Sequence, residues 1–259
     1  MHIRAHENRA GARPHRGRLA QGRRRVLLLT FPATLAFATA CNDSAATSQS
    51  AAPSSAPKTA SGNGVDRLSG PEILKRAAKA SRDATSVRMR GTFPSDGQSM
   101  AVDIRAASKG SAFGDITMKG QRIRLIRIRS TAYIKGDSGF WTSVGGKSAA
   151  RMFSGKYLKV SADNKDFRDL MSLTLTSTVF SELLRPSGPV TKGERTRING
   201  RAAIALGDGT GDGLYVATEG EPQVLRLKSG KDVLDFVAYN ERIDVRPPPR
   251  DRVISVPAS

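Results

Sequence analysis

Apolar and polar positions first fall into a helical rhythm just after Ser69. Ser69 is a good N-cap, Pro71 suits the first helical turn, and Glu72 sits where its carboxylate can reach back to the cap. Ile73, Leu74, Ala77, Ala78 and the Ala80–Ala84 stretch then supply one apolar side. The pattern predicts a helix that runs to about Ala84.

The period then shortens to that of strands. Strand-like segments are expected at Ser86–Phe93, Gln98–Ala107, Ser111–Met118, Gln121–Ile128, Thr131–Lys135 and Phe140–Val144. Short turns carrying Gly or Asp separate them, such as Ser95-Asp96-Gly97 and Gly136-Asp137-Ser138-Gly139. Strands so close together pair as an antiparallel meander. The middle of the chain is helical again. A short helix is expected at Lys147–Phe153, another at Lys165–Ser172 after the Asp163-Asn164 cap, and a third at Thr176–Leu184, which Pro186 ends. Strands return at Val190–Ile198, Ala202–Leu206, Leu214–Thr218, Gln223–Lys228 and Val233–Asn240.

This order predicts an α+β domain at 68–259. Its strongly curved antiparallel sheet, a half-barrel of about eleven strands, would have helices filling the concave face. One strand breaks the simple alternation. In Gln121–Arg129, Ile123 and Leu125 alternate with Arg122 and Arg124, after which Ile126 and Ile128 alternate with Arg127 and Arg129. A one-residue slip predicts a bulge or bend near Leu125–Ile126. The arginines would form a solvated outer face, or else a face for anions.

The N-terminal residues 1–40 read as an export signal. Arg16 to Arg25 is basic, Val26–Ala38 is an uncharged apolar run too short to span a bilayer, and small residues Ala38-Thr39-Ala40 precede Cys41. Gly22-Arg23-Arg24-Arg25-Val26-Leu27 also has the form of a twin-arginine motif, so both export routes stay open. Small residues followed by Cys resemble the bacterial lipobox, with Ala38 where Leu is usual. That resemblance implies that Cys41 becomes the first mature residue and is acylated, which anchors the protein on the outer side of the cell membrane. After it, 41–67 is rich in Ser, Ala and Pro and is expected to be a disordered linker.

Composition changes meaning once this segment is set apart. The chain of 259 residues has a formal charge of +19, but residues 1–40 hold eight Arg against one acid, leaving +12 after processing. All three His, at positions 2, 6 and 15, leave with the signal, and Cys41 is the single Cys. Disulfides, His- or Cys-based metal sites and His-dependent catalysis are thereby excluded from the mature domain. No catalytic residues, metal or cofactor are expected. Ser55-Ala56-Pro57-Lys58 matches a Ser–Lys enzyme motif but lies in the linker. Gly145-Gly146-Lys147-Ser148 lacks the first Gly of a phosphate-binding loop, because Trp141 stands there, and reads as a turn after a strand. Gly207–Gly213 reads as a hairpin loop rather than a calcium repeat. Nucleic acid is not an expected partner, since neither interleaved aromatics nor a reader helix accompanies the basic strand.

Three stretches carry a family resemblance. They are Tyr133-Ile134-Lys135-Gly136 with Phe140-Trp141, Ser154–Val160, and the C-terminal run from Ile198-Asn199-Gly200 through Phe236–Asn240 to Pro247-Pro248. Together they resemble a hairpin, its following strand and the C-terminal strands of actinobacterial envelope lipoproteins of the LppX/LprG group, and more remotely the LolA/LolB carriers. The resemblance implies a half-barrel that binds or carries a lipid or other apolar ligand in its hollow, and it transfers no catalytic residue. The expected lining is Trp141, Phe167, Leu170, Met171, Val179, Phe180 and Leu183, which could equally be plain core. Arg or Lys at the mouth would meet an anionic headgroup or wall polymer. A filled scaffold that only docks partners in the cell envelope is the alternative, and a hydrolase is the least supported.

Overall fold

The computed structural model describes residues 62–95, 97–186, 188–207 and 212–255. The export signal, Cys41, the Ser–Lys match and most of the linker lie outside the described residues. The last residues of the expected linker belong to the fold. Gly62 bridges to Glu219, and Val65, the one large apolar side chain of the linker, is fully buried in a short 3-10 turn.

Helix α1 (Gly70–Arg82) opens as the cap pattern requires. Glu72 accepts from the Ser69 backbone N–H at 2.9 Å and from its hydroxyl at 2.6 Å, and these bonds hold its carboxyl below the ordinary value. The first meander is β1 (Ser86–Ser95), β2 (Gln98–Ala107), β3 (Ser111–Met118), β4 (Gln121–Ile128) and β5 (Thr131–Gly136). Helix α2 (Ser138–Met152) follows, then β6 (Tyr157–Ser161), a short 3-10 turn, α3 (Arg168–Ser172) and α4 (Thr176–Leu183). The second meander is β7 (Thr191–Ile198), β8 (Arg201–Gly207), β9 (Gly213–Ala217), β10 (Val224–Ser229) and β11 (Asp232–Val237), and β12 (Val253–Ser255) closes the order.

All twelve strands form one open sheet in the order β12-β6-β5-β4-β3-β2-β1-β11-β10-β9-β8-β7, antiparallel except for the β12–β6 pair. It is curved into a half-barrel, with helices on one face. The coiling is visible where Asn199, in the β7–β8 turn, donates to Asp235 of β11 at 3.2 Å. In a flat sheet β8 and β11 would lie about 14 Å apart. A bulge between Val224 and Arg226 adds to the twist there.

Two cross-strand rows organise the inner face. Leu206, Leu214, Leu227, Leu234, Gly91, Val102, Ile116, Ile123 and Gly136 stand in register from β8 to β5. Nearer the other end, Val87, Ala106, Ala112, Arg127, Ala132 and Val160 do the same from β1 to β6. The helices cover these rows. Phe180 of α4 is fully buried, with its ring 5.2 Å from Phe236, and burial of such a side chain stabilises by about 1.5–3 kcal/mol.

Three expectations are corrected. Phe140–Val144 is helix, not strand. Asp137 caps α2 by accepting from the Phe140 N–H at 2.9 Å and from the Arg122 N–H at 2.7 Å, and these bonds lower its carboxyl. The expected helix Lys147–Phe153 is the second half of α2, and Gly145-Gly146 is a kink within it rather than a turn after a strand, with Gly146 at φ 71°. Thus Tyr133–Gly136 and Phe140-Trp141 form a strand and a helix, not a hairpin.

The bulge in β4 is also absent. Its pairing with β3 and β5 is continuous through Leu125 and Ile126. Burial alternates without a break, so the slip falls on the residues instead: Arg127 points inward and is 9% exposed, while Ile126 and Ile128 are half-buried on the outer side. Ala112 and Ala132, its cross-strand neighbours, leave room for the long side chain. Its guanidinium donates to the Arg129 carbonyl and to Thr174 Oγ1, both at 3.0 Å. Thr174 lies between α3 and α4, so Arg127 fastens the helical layer to the sheet.

Candidate functional site

The two ends of the sheet differ. At the end holding Arg127, bonds are dense. Tyr239 Oη donates to the Val224 carbonyl at 2.7 Å, the Val224 N–H donates to Ser81 Oγ at 3.0 Å, and Asn240 Oδ1 accepts from the Thr85 N–H at 2.8 Å. Burial pushes the Tyr239 phenol well above its ordinary value. Gly62 and Asn63 are tied here, to the β9–β10 connection. We call this the closed end. The opposite, open end carries the β1–β2, β3–β4, β8–β9 and β10–β11 turns and helix α2.

An apolar cavity of about 160 Å³ lies toward the open end, between the sheet and α3–α4. Met89 and Phe93 of β1, Val102 and Ile104 of β2 and Leu234 of β11 form its floor. Leu173, Val179 and Leu183 form its roof, and Ser172, Thr178 and Glu182 are its polar members. Strand alternation and helical spacing explain the set: β1 and β2 present every second residue inward, and Val179 and Leu183 are one helical turn apart. Leu183 also lines an open groove of about 410 Å³, whose walls include Leu74, Pro186, Pro189, Val190, Leu206 and Leu227. Cavity and groove therefore meet at one leucine. Glu182 and Arg185 stand close by, 3.5 Å apart, and both are exposed.

Of the seven residues expected to line a hollow, Val179 and Leu183 are at this cavity. Phe167, Leu170, Met171 and Phe180 pack in the core around it. Trp141, in the first turn of α2, instead lines a separate open hollow of about 790 Å³ beside that helix, its ring 4.6 Å from Phe153 and 4.9 Å from Phe140. Its indole Nε1 is buried with no hydrogen-bond partner among the described residues. The floor residues Met89, Phe93, Val102, Ile104 and Leu234 were missed. Alternation marked them as inward-facing, but nothing local distinguishes a floor with space above it from one that is covered.

An open hollow of about 460 Å³ between α1 and the chain after α4 is also largely apolar, lined by Pro71, Leu74, Ala78, Leu184, Pro189 and Val190, and others are polar. One of about 480 Å³ at the closed end is lined by Arg76, Lys79, Asp83, Glu221, Gln223 and Asn240. Among the described residues no group of three His, Cys, Asp or Glu is placed to hold a metal, and no helix is long and apolar enough to cross a membrane. On the outer face carboxylates are matched to arginines. Asp103 binds Arg88 at 2.7 and 2.5 Å, Asp115 binds Arg124 at 2.7 and 2.9 Å, and Asp235 binds Arg226 at 2.5 and 3.0 Å. The hydrogen bond from Arg88 lowers the Asp103 carboxyl. Burial pushes Asp235 up, but Arg226 and Asn199 together draw it below its ordinary value.

No family model matches the chain, and no curated protein does. Solved structures similar to it include LprF from Mycobacterium bovis, at 14% identity over 69% of this chain and 96% of that one, with a TM-score of 0.46. An uncharacterized conserved protein from Thermus thermophilus matches at 13% identity over 72% and 98% of the two chains, with a TM-score of 0.34. A LolA superfamily protein from Nitrosomonas europaea matches at 12% identity over 71% and 96%, with a TM-score of 0.24. Likeness at these scores carries no functional argument.

Proposed function

We propose that this chain is an extracytoplasmic lipoprotein, anchored in the cell membrane through acylated Cys41, that binds a lipid or other amphiphile at its open end. The observation that carries the reading is the apolar cavity meeting an apolar groove at Leu183. The cavity alone is smaller than the ~300–1,000 Å³ of a ligand site, whereas cavity and groove together reach that range. Rotation of Leu183 would join them. An acyl chain laid along this path gains about 0.8 kcal/mol per buried CH₂. The polar group would remain at the mouth, near Glu182 and Arg185. Binding is passive and uses no chemical step.

The test is uptake of a fluorescent fatty-acyl probe by the delipidated protein, together with native mass spectrometry of the protein as purified. Val179→Trp fills the cavity and should weaken probe binding by at least about tenfold, at a stability cost of roughly 1–3 kcal/mol. A parent protein that takes up no probe and carries no lipid overturns the reading. The anchor is tested separately: Cys41→Ser should release the protein from the membrane and abolish fatty-acid labelling.

A second reading has an observation of its own. Most of the inner face is filled, with Trp141, Phe180, Phe236, Ile104, Ile116 and Ile134 under 2% exposed. A scaffold that only docks envelope partners would have this core. It would bind no probe, and Val179→Trp would leave its partner binding unchanged.

A further inference from the structure

Helix α2 departs from the burial pattern of the rest of the fold. Its first turn is anchored, with Phe140 and Trp141 buried, but the seven residues 142–148 are all exposed. Val144 is 48% and Met152 59% exposed, and these are the exposed large apolar side chains among the described residues. The kink at Gly145-Gly146 lies within this exposed stretch, and the helix returns to the core at Ala149, Ala150 and Phe153. A helix segment that stands clear of the core between two anchored ends normally keeps its exposed side polar; this one instead presents two apolar side chains among basic ones.

The surrounding charge has one sign. Lys147 and Arg151 are exposed one turn apart on α2. Lys119 in the β3–β4 turn and Arg122 at the start of β4 lie next to this helix, where Ser143 of α2 reaches Gln121. Lys156 follows α2, bonded to the Asp251 carbonyl in the turn that also holds Arg250 and Arg252. Against these stand Asp251 and Asp137, and the Asp137 carboxylate is already occupied by two backbone N–H groups. An apolar pair within a basic field at one end of a domain is complementary to an anionic bilayer surface. Its apolar groups enter the interface, and its cations meet the headgroups.

We infer that the open end docks on an anionic lipid bilayer through α2, with Val144 and Met152 entering the interface and Lys147, Arg151 and their neighbours binding headgroups. Chain length permits this. The described fold begins at Gly62, at the closed end, and Cys41 lies 21 residues earlier. Those residues can span up to about 70 Å, whereas a ten-residue strand is about 33 Å long. An anchored domain can therefore turn its open end toward the bilayer. The docked orientation sets the cavity mouth at the surface from which an amphiphile would come. The inference rests on the anchoring reading only for how the domain reaches the membrane, and its test omits the anchor.

The test uses the processed chain carrying Cys41→Ser, with vesicles of phosphatidylcholine alone or mixed with phosphatidylglycerol. The protein should co-sediment with the mixed vesicles only. Lys147→Glu with Arg151→Glu should weaken binding about 30-fold, and Val144→Ser with Met152→Ser about tenfold. All four positions are exposed, so thermal melting should not move. An environment-sensitive label on Val144→Cys should shift to the blue and be quenched by bromolipid. The same label on Lys109→Cys, at the closed end, should do neither. Absence of binding to the mixed vesicles overturns the inference. So does binding that survives both pairs of substitutions, or an equal response from the two labels. Probe uptake in the absence of vesicles is measured independently, so failure here and failure of the ligand reading are distinguishable.

Discussion

The closed and open ends of the sheet are built from the same strands and differ in what happens to their polar groups. At the closed end, side chains from α1, the α3–α4 connection and the chain after β11 are spent on bonds that close the structure. Arg127 holds Thr174, Ser81 accepts from Val224, and Asn240 receives Thr85. At the open end the corresponding positions are leucines, glycines and the exposed middle of α2, and space remains. The contrast shows how a half-barrel can fix its layers at one end while space remains at the other.

Substitutions that exchange these characters should break the contrast. The largest effect is expected at the closed end. Arg127→Ala removes a buried side chain, leaves a void between Ala112 and Ala132, and loses two bonds. It should cost about 2–5 kcal/mol in urea unfolding, while Arg127→Met, which refills the space, should recover part of that loss. Arg127→Glu would unfold the domain and so cannot report on partner binding, although the basic strand reads from sequence as an accessible face.

Acid should act on both ends. Asp103, Asp137, Asp232 and Asp235 all lie below their ordinary values in the folded state. Their stabilisation is complete above the ordinary carboxylate range near 3.8 and is lost as pH falls from there through the lowered values. Melting temperature should therefore be flat between about pH 5 and 8, since the described residues contain no His or Cys to titrate there, and should fall steeply below pH 4. A midpoint near neutrality in a pH series of thermal melts would contradict this.

At the open end the expected effects on stability are smaller. Asp137→Ala removes the α2 cap and should cost about 0.5–2 kcal/mol by thermal melting, with the loss of helix confined to residues 138–152 in hydrogen exchange. The smallest effect is expected on the outer face. Asp115→Ala breaks an ion pair in which both side chains are 57% exposed, and urea unfolding should detect less than about 1 kcal/mol.

Legibility followed the reach of each interaction. The α1 cap, the β2–β5 turns and the alternation of β8 to β11 are local, and the expected spans match the observed ones within about three residues. Phe140-Trp141 misled because aromatic neighbours favour strands, while the deciding contacts come from Gly136 and Phe153. A Cβ on Gly136 would sit 2.1 Å from the Phe140 ring. The bound Asp137 side chain was the available signal, an N-cap residue just before the pair. β12 could not be read at all, because three residues pair only when β6 offers an edge.

The amino-acid sequence by itself determined the α+β class, the two meanders around a helical middle, the charge of +19 and the placement of every His within the first fifteen residues. These follow from periodicity, turn chemistry and composition, which act between near neighbours. Only the tertiary structure decided that Arg127 faces inward, that Val179 and Leu183 line a cavity while Phe180 fills the core, and that α2 stands exposed. Each depends on volume left or taken by residues distant in sequence. Ala112, Ala132 and Thr174 decide the fate of Arg127, and no pattern along β4 contains them.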